Sequence, residues 1–131
     1  MASLEDIQAY VERVESAGLA AEEIEHGMWV LSVDGTGARI VVNYDPPVLV
    51  FRVNVMELPT DPAKRADLME KLLRLNATDL LHGSYGIEDA QVVLTDALAI
   101  EDLDFSEFQS TIDSIQLALG SHLSALATYQ E

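Results

Sequence analysis

Leu4, Ile7, Val11 and Val14 recur at spacings of three and four, which places them on one face of a helix. Ser3 precedes this run with Asp6 three residues later, a variant of the capping box, and Gly18 ends it. The pattern then turns to strands. Met28 to Val33 and Ala38 to Tyr44 are rich in strand formers, and Asp34-Gly35-Thr36-Gly37 between them supplies a tight turn through glycine's access to positive φ. After a second turn at Asp45-Pro46-Pro47, a third strand runs from Val48 to about Leu58. Its alternation predicts Leu49, Phe51, Val53 and Val55 on the core face and Val50, Arg52, Asn54 and Met56 on the other. Three strands joined by short turns make an antiparallel meander.

A second helix starts at Asp61-Pro62, where aspartate caps free N–H groups and proline at the first helical position has none to lose. Leu68, Met69, Leu72, Leu73 and Leu75 are expected to form its buried side, and Asp67–Lys71 and Glu70–Arg74 are i,i+4 pairs in the favourable order. Gly83 to Ile87 and Gln91 to Thr95 form a second β section with a turn at Glu88-Asp89. Leu98, Ile100 and Leu103 tuck inward from an acidic connection. The last helix starts near Ser106 and runs to about Tyr129, with Phe108, Ile112, Ile115, Leu119, Leu123 and Leu126 in one stripe. The expected architecture is a single α+β domain over residues 1–131, in the order α-β-β-β-α-β-β-α, with an antiparallel sheet of about five strands.

Charge narrows the function. There are 23 acidic residues against 7 basic ones, a formal net charge of −16, and from Leu75 to Glu131 ten acidic residues stand with no Lys or Arg. Such a chain is repelled by phosphate backbones and anionic bilayers, so neither nucleic acid nor membrane is an expected partner. The field favours solubility and basic partners. The absence of cysteine removes disulfides and thiolate chemistry and suits a cytoplasmic protein. The first nineteen residues carry no basic leader and no continuous apolar stretch, which argues against a secretory signal.

Candidate chemistry is sparse. His26, His82 and His122 lie far apart and show no metal-ligand spacing, so no metal or other cofactor is expected. His122 falls at the edge of the last helix's apolar stripe, where a satisfied core-edge histidine is the expected role. Asp79, His82 and Tyr85 could be arranged as acid, base and hydrogen-bond donor, but only their proximity in sequence supports this. No serine or cysteine sits in a nucleophile-elbow context. Gly83 and Gly86 make no phosphate loop, because no lysine follows and no helix opens after them.

The back of the last helix is more informative. Between Gln109 and Gln130 only Asp113 carries a formal charge, and the side opposite the stripe reads Ser110, Ser114, Leu117, Ser121, Ser124 and Thr128. Solvent-facing helices normally carry many charges, and small residues let another element approach closely. Ser114, Leu117 and Ser121 are therefore candidate contacts with a second subunit or client. Val48, Val50 and Met56 on the third strand, together with the first helix, are the other candidate contacts.

Leu72-Leu73-Arg74-Leu75-Asn76 resembles a Leu-Leu-x-x-Asn pattern, followed by Gly-x-x-Gly-aliphatic at Gly83 to Ile87, then Val92-Val93-Leu94 and the Leu98–Leu103 segment. With the element order, length and acidity, this resembles the type III secretion chaperone fold, and within it the YbjN-type family. The resemblance implies a homodimer that holds a segment of another protein without ATP and without catalysis. The expected function is thus a non-catalytic protein-binding module, chaperone-like or regulatory. A small enzyme or ligand-binding protein, and a structural subunit of an assembly, are the alternatives.

Overall fold

The computed structural model describes residues 1–32 and 37–131. The predicted Asp34–Gly37 turn thus lies largely outside the described residues, as does Val33 at the end of its strand. Each of the three helices starts at a polar cap, which satisfies amides that have no intrahelical acceptor. In α1 (Leu4–Ser16), Ser3 Oγ accepts from the Asp6 N–H at 3.1 Å while Asp6 Oδ2 accepts from the Ser3 N–H at 2.9 Å, a reciprocal capping box. Asp61 accepts from the Lys64 N–H at 2.9 Å to open α2 (Pro62–Thr78). Asp104 accepts from the Glu107 N–H at 2.8 Å to open α3 (Phe105–Leu126). These contacts contribute about 1 kcal/mol each.

The strands are β1 (Ala20–Glu25), β2 (Met28–Ser32), β3 (Arg39–Asp45), β4 (Val48–Glu57), β5 (Ser84–Glu88) and β6 (Gln91–Ala99). They form one antiparallel sheet in the order β1-β2-β3-β4-β6-β5. The described residues therefore hold six strands where about five were expected, and the element order is α-β-β-β-β-α-β-β-α. The added element is β1, Ala-Ala-Glu-Glu-Ile-Glu. It is an edge strand exposed at five of its six positions, so it has no apolar alternation to announce it. Its glutamates suit an edge, where charge discourages pairing with another chain.

One face of the sheet enters the core. Trp29, Leu31, Ile40, Val42, Leu49, Phe51, Val53, Val92 and Leu94 meet Ile7, Val11 and Val14 of α1, Leu68 and Leu72 of α2, and the Phe108–Leu126 stripe of α3. Full burial of each such side chain is worth roughly 1.5–3 kcal/mol. Phe51 and Phe108 pack with ring centroids 5.7 Å apart, and Tyr10 joins Phe108 at 5.6 Å. Arg13 lies over the Phe105 ring at 3.6 Å, a cation–π contact that ties α1 to α3.

Three expectations need correction. The ladder between β4 and β6 shifts between Asn54 and Met56, a bulge that inserts one residue and reverses the alternation beyond it. Met56 thereby turns into the core, 6% exposed, while Val55 is only partly buried. Met56 thus lies on the face opposite to the one its spacing predicted. On α2, Leu68 and Leu72 are buried and Met69 and Leu75 half-buried, whereas Leu73 is 69% exposed. Leu73 falls outside the arc that Leu68 and Leu72 define, since consecutive helical residues point about 100° apart. Finally, Glu70 meets Arg74 at 2.9 Å as expected, but Asp67 accepts instead from the Tyr129 hydroxyl at 2.7 Å.

Candidate partner-binding surfaces

The motif around Asn76 and Gly83 fixes where α2 ends and β5 begins. Asn76 makes both bonds of its amide to one backbone residue: Nδ2 donates to the Tyr85 carbonyl at 3.1 Å, and Oδ1 accepts from the Tyr85 N–H at 2.7 Å. The Tyr85 N–H and C=O thus face Asn76 on the outer edge of β5, away from β6. Gly83 has φ +75°, and a Cβ there would meet the Thr95 carbonyl oxygen at 2.6 Å and Asp96 Cβ at 3.3 Å. Only glycine fits that approach.

Tyr85 in turn anchors a polar cluster. Its hydroxyl lies 2.7 Å from His122 Nδ1, and His122 Nε2 lies 3.1 Å from Asp79 Oδ2. His122 is 5% exposed, while Asp79 stands at the surface as the C-cap of α2. The Thr78 hydroxyl, and then His122, hold the Asp79 carboxyl below its ordinary value, so it is ionised and can only accept. His122 Nε2 therefore donates to Asp79, and Nδ1 is engaged by the Tyr85 hydroxyl. Burial, reinforced by the Asp79 charge, pushes the Tyr85 phenol up to about 12.

Sequence proximity suggested Asp79, His82 and Tyr85; the fold substitutes His122, brought from α3, and leaves His82 exposed. Both nitrogens of His122 are engaged, so neither is left to activate a nucleophile. The cluster joins α2, β5 and α3 as a strut running from the buried Tyr85 and His122 to the surface at Asp79, which agrees with the satisfied core-edge role read for His122.

Above this strut is a groove of about 140 Å³ lined by Leu80, Leu81, Ser114, Leu117, Ser121 and His122, among others. Leu117 is 71% exposed and Leu81 89% exposed, so the groove rim is apolar. Ser114 is half-buried and Ser121 exposed. The structure thus brings Ser114, Leu117 and Ser121 together. Leu81 was not singled out from the sequence, because it follows the helix in a stretch with no periodicity.

The second surface is the sheet face turned away from the core. Val30, Val41, Val48, Val50, Arg52, Val93, Ala97 and Ala99 share it by register, and none belongs to the core cluster that holds residues of all three helices. Val48 and Val50 are half-buried there. Their neighbours are side chains of adjacent strands, with Val50 opposite Asn43 on one side and Ala97 on the other. Among the described residues, no group of three or more His, Asp or Glu is placed to hold a metal ion, and no helix is long and apolar enough to cross a membrane.

Three helices over one face of an antiparallel sheet, with the other face open, define the two-layer architecture of type III secretion chaperones. The chain belongs to the CesT_Tir_1 family of type III secretion chaperones, whose model matches residues 1–131. Members of this family are non-enzymatic. Among solved structures, a chain of the heterodimeric ExoU-SpcU complex from the type III secretion system of Pseudomonas aeruginosa is similar at 17% identity and a TM-score of 0.66, covering 95% of this chain and 98% of that one. YbjN from E. coli is similar at 15% identity and a TM-score of 0.66, over 96% and 92%. A chain of the Yersinia Pestis structure of the chaperone SycH with a stable fragment of YscM2 is similar at 19% identity and a TM-score of 0.57, over 86% and 96%. At these identities the likeness shows the fold. No curated protein matches the chain.

Proposed function

We propose that this chain is a protein-binding module, chaperone-like or regulatory, that acts in the cytoplasm as a homodimer and reversibly captures a segment of a partner protein. The observation that carries the reading is the uncovered sheet face. A sheet normally buries each apolar face against another layer. Here the face bearing the half-buried Val41, Val48 and Val50 lacks one among the described residues, although Val30 and Val93 beside them are buried, and an aliphatic surface of that kind marks an interaction site. The solved neighbours support the reading, since ExoU-SpcU and SycH–YscM2 are both complexes of two different proteins.

Val48 and Val50 are the proposed client contacts, and Ser114, Leu117 and Ser121 the proposed contacts with the second copy. Met56, being in the core, would act only by supporting β4 from behind.

A photo-crosslinking residue at position 50 should give a discrete adduct in the native host, whereas one at the exposed Glu15 should not. Diffuse labelling at both positions would sink the capture reading. Light scattering at micromolar concentration should report a dimer for the wild type and a monomer for Leu117→Glu; a monomeric wild type would sink the homodimer.

A further inference from the structure

The open sheet face is not uniformly apolar. A depression of about 360 Å³ lies over β2, β3 and β4, lined by Ile24, Val30, Arg39, Val41, Arg52 and Asn54, with Gly37 and Ala38 at its end. Two of the chain's seven cationic side chains are here, and no described lining residue is a carboxylate, in a molecule of net charge −16. Val41 pairs with Arg52, so Arg39, two residues before Val41 on the same face, is the diagonal neighbour of Arg52. Diagonal positions of this kind are about 7–8 Å apart, within reach of long side chains.

Two arginine side chains reaching out from that spacing can bracket an anion between them, and Arg52 already pairs with one carboxylate, that of Glu88. Arg52 is held in place: Nε donates to Asn54 Oδ1 at 3.3 Å and Nη1 to Glu88 Oε2 at 2.6 Å. A guanidinium has five N–H donors, so these two bonds leave further donors on Arg52. Arg39 is exposed at the rim. Val30 and Val41 line the depression beside the two arginines and offer aliphatic contact to whatever occupies it.

We propose that the partner segment captured on this face is extended and carries an aspartate or glutamate between aliphatic side chains, the carboxylate being received between Arg39 and Arg52. This rests on the open-face reading above and adds the chemistry of the ligand. The arrangement supplies register: aliphatic residues alone could slide along a valine surface, whereas a carboxylate in a negative field has one place to bind.

The protein's overall charge makes the test discriminating. Three labelled peptides of alternating valine and threonine, with a central glutamate, glutamine or lysine, are titrated against the intact protein by fluorescence anisotropy. The bulk field alone ranks lysine first and glutamate last. The proposed site ranks glutamate first, by about tenfold over glutamine, which corresponds to about 1.4 kcal/mol. Arg39→Gln and Arg52→Gln should each reduce that preference, and Arg39→Glu should move it towards the lysine peptide; circular dichroism checks that each variant is folded. Equal binding of the glutamate and glutamine peptides, or lysine first, overturns the carboxylate inference while leaving capture on the face standing. If none binds and position 50 gives no crosslink, the capture reading itself fails.

Discussion

At the scale of single residues, the junction between α2 and β5 leaves little room for change. Gly83→Ala would force a methyl group to 2.6 Å from the Thr95 carbonyl at a φ of +75°. Strained backbone and overpacking each cost on the order of 1–3 kcal/mol, so the urea midpoint should drop markedly. Asn76→Ala leaves the Tyr85 N–H and C=O without their amide partner and should cost about 2 kcal/mol by the same measurement. The strut also titrates. The folded Tyr85 phenol lies at about 12, above its ordinary value of 10.0, so its linked stability is complete below pH 10 and is lost as pH rises towards 12. Tyr85→Phe should remove that alkaline loss, read from urea midpoints across the range. Asp79 is shifted the other way. Its carboxyl lies below 3.8, so its linked stability is present above the ordinary carboxylate value and is lost as pH falls below it. Asp79→Asn should flatten that acid limb.

At the scale of elements, what could be read in the chain depended on whether an element carries its own periodicity. All three helices were legible, the first two from a cap and an apolar repeat together, Ser3 before Leu4 and Asp61 before Pro62, and the last from its Phe108–Leu126 stripe, while its cap Asp104 and its start at Phe105 lie just ahead of the start read near Ser106. β1 was not, since its partner strand and not its own pattern makes it a strand. Met56 was misplaced because a bulge leaves no mark in the alternation until the β6 register is known. The strut was half legible. Asp79 and Tyr85 stood out as neighbours, but the histidine between them comes 37 residues after Tyr85, and only the packing of α3 delivers it. The Asn76 and Gly83 motif was visible as a pattern, while its reason, a two-bond clamp and a close backbone approach, is geometric. One element contact had no sequence signal at all. Glu131 closes over the start of α2, its Oε1 accepting from the Thr60 N–H at 2.7 Å and hydroxyl at 2.9 Å, and its Oε2 from the Asp61 N–H at 3.3 Å. Those bonds hold its carboxyl below the ordinary value. Glu131→Ala should speed hydrogen exchange at the Thr60 and Asp61 amides while leaving exchange in the β4–β6 ladder unchanged.

At the scale of the whole molecule, the two proposed contact surfaces belong to different layers. The groove with Leu117 is built on α3, in the helical layer, while Val48 and Val50 are on the open side of the sheet. A stable interface needs roughly 800 Å² per partner, so a dimer centred on Leu117 must extend along α3, whose 22 residues span about 33 Å. That direction leads along the helix layer and away from the open sheet face, so dimerisation and capture should be separable. Leu117→Glu should yield a monomer that still binds the glutamate peptide with wild-type affinity. Val50→Asp should abolish peptide binding and leave the dimer mass unchanged. Charge adds a second axis. Bringing two copies of net charge −16 together is opposed by long-range repulsion, which is screened beyond about 10 Å at 0.1 M salt. Dimerisation should therefore strengthen as salt rises, whereas the arginine-held carboxylate should weaken. Sedimentation equilibrium and peptide anisotropy across one salt series should move in opposite directions. Parallel movement would mean that the same surface serves both contacts.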